Sequence, residues 1–278
     1  ALAAFTVCEP GVLNALGFCV YEVLDNVLLH SELGYGGYAM AQIHPNAKHI
    51  ALCIYDTGQG IFNSLRDSHA PKSSISAIET AIKKDVTSGK GAGFGLWGLH
   101  QIVDSNSGRL SIASGSGMLV VSRGTESKFN SFSFLSRERN CTLVDFQIDF
   151  DKRIDFGTAL GGYEPLDFFI ENVEDDDGNA VFSVKNECPG TGTRPDGVVA
   201  RNRAMNYEKL AEARVLIDFA QVEHISASFA DEFIAKMVSD LGVDAFRERF
   251  SLLNRSSFVA DLIDRATAKR VQPPNQAS

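Results

Sequence analysis

The sequence predicts an α+β protein in two parts, a two-layer α/β sandwich followed by a small α/β domain. Three observations carry that expectation. Residues 37–43 and 49–55 read as two strands, and residues 109–113, 118–122 and 142–150 alternate like strands of an antiparallel sheet. Residues 12–31, 74–84 and 95–103 show helical spacing instead, so helices interrupt the strands. Past residue 152 the order becomes strand, helix, strand, helix between residues 215 and 268, which indicates a separate α/β layer. The expected domains are residues 1–152 and 153–278.

The elements follow in order. In the first helix, Val20, Leu24, Val27 and Leu28 form the expected apolar stripe facing the sheet. His44-Pro-Asn-Ala-Lys48 has the composition of a hairpin loop between the first two strands. Ser73 or Ser74 is the expected N-cap of the helix at 74–84, and Asp104-Ser-Asn-Ser-Gly108 ends the helix that starts at Gly95. Residues 123–140 are polar and read as a hairpin with a long tip. In the second part, residues 174–179 read as an acidic turn. Residues 189–197 read as a loop rich in glycine and proline. Residues 215–219 read as a buried strand. Phe229, Phe233, Met237 and Leu241 recur every fourth residue, the stripe of an amphipathic helix over 227–241. Residues 250–253 are a short strand and 257–268 a last helix.

The composition excludes several function classes. A chain of 278 residues has room for about two domains. Its net charge of −9 opposes binding to nucleic acid or to an anionic membrane, because phosphates are repelled. No run reaches the ~20 apolar positions of a membrane span, and no export signal is visible. Five cysteines, at 8, 19, 53, 141 and 188, form no CxxC pair. That argues for free thiols in a reducing compartment rather than a disulfide framework or a zinc site. The expectation is a cytoplasmic protein with no nucleic-acid or membrane partner.

Three segments carry the chemistry. In Glu22-Val-Leu-Asp-Asn26-Val-Leu-Leu-His30, the carboxylate, amide and imidazole stand at i, i+4 and i+8, on one helix face. Such a face suits hydrated Mg²⁺ with a polyphosphate, since Mg²⁺ takes oxygen ligands and keeps several waters. Glu22 would orient or deprotonate a nucleophile near the γ-phosphate. Asp56 ends a strand and precedes Thr-Gly58-Gln-Gly60, so its carboxylate can accept a hydrogen bond from the amino group of adenine. Gly58 and Gly60 permit close backbone approach to a flat ring. Gly89-Lys90-Gly91-Ala-Gly93-Phe-Gly95-Leu96 runs directly into a helix, whose first amides attract anions. Lys90 adds a point charge, with Lys83 and Lys84 close in sequence. A dinucleotide-binding βαβ fingerprint fails on context, because this run follows a helix and a lysine-bearing loop rather than a first strand.

The order of these segments resembles the GHKL superfamily, the ATP-binding domain type of gyrase, the large heat-shock chaperones and histidine kinases. Glu22 to His30 is similar to its N box, Asp56 to Gly60 to its G1 box, and Gly91 to Leu96 to its G2 box. The resemblance implies the Bergerat fold over residues 10–150, with Asn26 on Mg²⁺, Asp56 on adenine and residues 62–92 as a lid over ATP. A Gly-Thr pair before the last strand completes the family pattern. Thr142 fits that position with Cys141 in place of the glycine, and Gly124-Thr125 is a rival match.

Residues 215–233 resemble the core of a STAS-like domain, a class that includes anti-sigma factor antagonists. Ser226 and Ser228 lie where that class carries serines at a helix start. The resemblance makes Ser228 the phosphoacceptor, while the residue pattern alone makes Ser226 a helix cap. The expected function is a signalling switch in which ATP with Mg²⁺ gates a protein partner through the STAS-like domain. The alternative is an ATPase or an anti-sigma-type Ser/Thr protein kinase, with Glu22 and His30 as its catalytic residues. A histidine autokinase needs a phosphoacceptor histidine on a dimerisation helix pair, and the sequence shows none.

Overall fold

The computed structural model describes residues 2–30, 37–86, 95–131, 141–163, 179–211 and 213–271, with His30 described by its backbone alone. Contacts divide the chain into two compact units: Glu9–Leu166, and Asp167–Ser278 together with Ala1–Cys8. A single cut near residue 152 therefore differs from the division in space at both ends of the first unit.

After a short helix α1 (Leu2–Phe5), the first unit opens with helix α2 (Val12–His30). Strands β1 (Gly37–His44) and β2 (His49–Asp56) form the expected hairpin, paired from Gly37↔Asp56 to His44↔His49. Helices α3 (Gly60–His69), α4 (Ser74–Ala81) and α5 (Gly95–Ser105) follow. Strands β3 (Arg109–Ser114), β4 (Gly117–Ser122), β5 (Thr125–Phe129) and β6 (Thr142–Asp149) complete an antiparallel sheet in the order β1-β2-β6-β3-β4-β5. Strands β2 and β6 bury alternate residues, as period two requires, namely Ile50, Leu52 and Ile54 on β2 and Val144, Phe146 and Ile148 on β6, whereas β3 is buried throughout from Leu110 to Ser114. Helical Val23, Val27, Ile78, Leu99 and Ile102 share that core. A helix α6 (Phe156–Ala159) closes the described part of the unit.

Three expectations change here. The buried stripe of α2 is Ala15, Phe18, Cys19, Val23 and Val27, while Leu24 and Leu28 are 38% and 78% exposed. The helix is apolar on more than one side, so spacing alone did not select the inner face. By length and composition, Val12–Leu29 also reaches the measure of a membrane span, with a mean hydropathy of 1.5 over 18 residues. The stretch assigned to a lid contains two folded helices: α3 buries Ile61 and Leu65, and α4 buries Ile75, Ala77 and Ile78. The α4 cap is Ser73, whose hydroxyl accepts the Ser76 N–H. Residues 87–94 lie outside the described residues.

The second unit has a parallel sheet, β7 (Ala180–Ser183), β8 (Val215–Asp218) and β9 (Phe250–Leu253), in that order. Helix α7 (Val184–Glu187) and the long α8 (Arg194–Ala211) precede β8, so the expected loop becomes helical from Arg194. Helix α9 (Ala227–Ala230), a π-helical turn (Asp231–Ala235) and α10 (Lys236–Leu241) form the expected amphipathic segment, burying Phe229, Phe233 and Met237. Then come α11 (Val243–Arg249) and α12 (Ser257–Val271). Phe182, Phe219 and Phe250 fill the core beside them. The expected acidic turn at 174–179 lies outside the described residues apart from Asn179.

Candidate functional site

Glu22 and Asn26 stand one helical turn apart on α2, and both lie against the start of α5. A Cβ built on Gly95 would be 2.9 Å from Glu22 Oε2 and 3.2 Å from Asn26 Nδ2. Glycine is the residue that leaves both side chains in place there. The first amides of a helix have no partners within it, and the helix dipole makes that end attractive to anions. A carboxylate, an amide and an anion-attracting helix start therefore converge. Burial, and then the charge of nearby Asp25, hold the Glu22 carboxyl above its ordinary pKa.

The second cluster is built by sheet register. Asp56, the last residue of β2, pairs with Thr142, the first residue of β6, and Thr142 pairs with Ser114 at the end of β3. One Asp56 oxygen accepts the Gly58 N–H at 2.8 Å, which fixes the turn that follows. Gly60 opens α3 with a φ of +73°, a backbone that favours glycine. Ser114, which the sequence reading missed, ties these parts together. Its buried hydroxyl accepts the Ile61 N–H at 2.9 Å, donates to the Cys141 carbonyl at 3.0 Å and lies 3.4 Å from Thr142 Oγ1. A serine ending a buried strand was the available signal, but its partners are set by long-range pairing. The rival Thr125 occupies a different place in the sheet. Arg123 and Gly124 both have positive φ and form the two-residue β4–β5 turn, leaving Thr125 on the edge strand.

The two clusters adjoin. Gly37 pairs with Asp56, and a Cβ there would stand 2.9 Å from Val27 Cγ1, one residue beyond Asn26. The structure thus brings together Glu22, Asn26 and Gly95 on one side and Asp56, Gly58, Gly60 and Thr142 on the other. Leu96 occupies the second position of α5. Lys90, Gly91, Gly93 and the side chain of His30 lie outside the described residues. Lys83 and Lys84 line a separate cavity of about 590 Å³ with Glu79, Trp97, His100 and Glu126, and the Lys84 ammonium sits 5.1 Å from the Trp97 ring centre. Trp97 and His100 lie on the side of α5 away from Gly95, given 100° per residue.

In the second unit, the Ser226 hydroxyl caps α9 by accepting the Phe229 N–H at 3.0 Å. Ser228 Oγ lies 2.9 Å from Ser226 Oγ, and both side chains are half-buried.

Comparison with known proteins agrees with this architecture. Residues 11–135 match the model of the histidine kinase-, DNA gyrase B- and HSP90-like ATPases. The N-terminal domain is thus similar to the GHKL ATP-binding domains. Residues 205–259 match a STAS-like domain of unknown function. Among solved structures, the chain is similar to the 43K ATPase domain of Thermus thermophilus gyrase B in complex with an aminocoumarin, with 18% identity and a TM-score of 0.30. That match covers 50% of this chain and 36% of the other. None of the curated proteins matches the chain. A GHKL-like region followed by a STAS-like region is consistent with an ATP-binding regulatory protein.

Proposed function

We propose that Mg²⁺-ATP binds between α2, the start of α5 and the Asp56 turn, and that this binding gates the interactions of the STAS-like unit with a protein partner. The observation that carries the reading is the packing of Gly95 on Glu22 and Asn26. It supports one site built from residues far apart in sequence. The donor set fits the ligand. The Asn26 amide oxygen would hold Mg²⁺, a hard cation satisfied by few protein oxygens beside phosphate and water. Bound there, Mg²⁺ supplies neutralising charge to the phosphates. Asp56 accepts the adenine amino group, with Gly58, Gly60 and Thr142 beside it. Gly95 and Leu96 at the start of α5 are assigned to the phosphates, and the sequence pattern assigns Lys90, Gly91 and Gly93 to them as well.

A second reading, hydrolysis or transfer to serine by an anti-sigma-type kinase, draws on the raised pKa of Glu22. A carboxyl shifted toward neutrality is a better general base. In that reading Glu22, with His30, activates water or a hydroxyl such as that of Ser228. One experiment addresses both readings: calorimetric titration with Mg²⁺-ATP beside phosphate release, for wild type, Asn26→Ala and Glu22→Ala. Asn26→Ala loses Mg²⁺-dependent binding, and unchanged affinity would remove Asn26 from the metal. Glu22→Ala binds but releases no phosphate. If wild type itself releases none, and mass spectrometry finds no phosphoserine, the protein is a nucleotide sensor.

A further inference from the structure

The C-terminal unit includes a peptide that precedes the first unit in sequence. Helix α8 carries Asn202, Asn206 and Lys209 at i, i+4 and i+7, on one face. Asn202 Nδ2 donates to the carbonyls of Ala4 at 3.2 Å and Phe5 at 2.9 Å. Asn206 Nδ2 donates to those of Ala3 at 3.0 Å and Thr6 at 2.8 Å, while its Oδ1 accepts the Cys8 N–H at 2.8 Å. The Lys209 ammonium donates to the Cys8 carbonyl at 2.8 Å. These bonds all go to backbone. The carbonyls of residues 3 to 6 include those that a single helical turn leaves without partners. Both asparagines are buried, at 5% and 1% exposure, and a buried amide is costly unless its bonds are made. Leu2 and Cys8 add buried side chains, whereas Phe5 stays largely exposed.

The next residues belong to the other unit. Glu9 N–H donates to the Phe150 carbonyl at 2.9 Å, and Ile154 N–H donates to that of Pro10 at 3.0 Å. Gly11 has a φ of +79°, and a Cβ there would stand 1.9 Å from the Ile154 oxygen. Helix α2 starts at once, at Val12. The Cys8–Glu9 peptide bond therefore joins a segment bound by one unit to a turn bound by the other, just ahead of the helix that bears Glu22 and Asn26.

We propose that this face of α8 is a peptide-docking surface whose occupant is the chain's own Leu2–Cys8, and that nucleotide at α2 controls how firmly the segment docks. The proposal rests on the reading of α2 as part of an ATP site. Recognition through backbone carbonyls suits a segment that leaves and returns, because water can satisfy both partners when it is out. The short turn at Glu9-Pro-Gly11 is the covalent path by which α2 would act on the segment.

Hydrogen exchange with mass spectrometry on the full chain reads the docking directly. Mg²⁺-ATP changes the exchange rate of the peptide spanning residues 2–9 by about fivefold or more, the size of an ordinary allosteric coupling. In Asn206→Ala the same peptide exchanges quickly without nucleotide and no longer responds to it. Asn202→Ala shows the same pattern more weakly, and it serves if the first variant fails to fold. Calorimetry on the same samples reports ATP binding separately. ATP binding with unchanged exchange at residues 2–9 overturns the proposal and leaves the nucleotide site standing. Absence of ATP binding overturns the nucleotide reading and the coupling with it. Fast exchange at residues 2–9 in wild type, with or without ATP, overturns the docking surface itself.

Discussion

Gly95→Ala separates the geometry of the site from the stability of the fold. The new methyl would stand 2.9 Å from Glu22 Oε2 and 3.2 Å from Asn26 Nδ2. Nonbonded atoms are comfortable at about 3.5 Å or more, so both side chains must retreat by a few tenths of an ångström. Each is the end of a rotatable side chain, and an off-rotamer shift costs about 0.5–1.5 kcal/mol. Alanine returns up to about 1 kcal/mol over glycine in a helix. The net change in unfolding free energy is within about 1 kcal/mol, measured by urea denaturation. Function is expected to suffer more. Moving the Asn26 amide and the Glu22 carboxylate off position weakens Mg²⁺-ATP binding by about tenfold, or ~1.4 kcal/mol, read by calorimetry. Unchanged affinity refutes the reasoning. So does a destabilisation of about 3 kcal/mol or more, because it would mean that the methyl meets packed core rather than two movable polar groups.

Two further outcomes follow from the same geometry. The Glu22 carboxyl is held above its ordinary pKa by burial and then by Asp25, so its ionised form is disfavoured in the fold. The associated stability is present below the usual glutamate range and is lost as pH rises through the elevated value. Glu22→Gln is therefore more resistant to denaturant than wild type at neutral pH, and the gap closes in acid; equal midpoints at neutral pH contradict this. Ser114→Ala removes the acceptor of Ile61 N–H and the donor to the Cys141 carbonyl. A loss of about 1–3 kcal/mol is expected in thermal unfolding, and a loss near zero would show that water replaces the hydroxyl.

The two halves of the candidate site differed in how far the sequence revealed them. Glu22 and Asn26 were legible because an i, i+4 relation is local and helical periodicity alone places them on one face. Asp56 was legible as a strand-end carboxylate with two glycines behind it. Thr142 was legible only as one of two choices, since the decision depends on the pairing Asp56↔Thr142 across distant strands. Ser114 was not legible at all, for the same reason. Helix α3 was missed because Asn63, Ser64, Arg66, Asp67 and Ser68 hide the few apolar positions of its inner face. Helix α8 was missed because its buried face is Gly197, Ala200, Asn202, Ala204 and Asn206, small and amide residues that leave no hydrophobic period to detect. Those asparagines are buried because they bind a peptide backbone rather than because they are apolar.

The pairing of Asn206 with Cys8 spans 198 residues of chain. Residues 2–8 leave the ribosome long before their acceptor helix exists. At about 5–20 residues per second, the wait is on the order of 10–40 s. The nucleotide-binding sheet and its helices can close during that interval, since their strands are all made before α8. The face of α8 cannot be filled until residues 2–8 meet it. That contact is a long-range loop closure, and such closures are slow. Residues 2–8 therefore spend that interval without the asparagine side chains that satisfy their carbonyls.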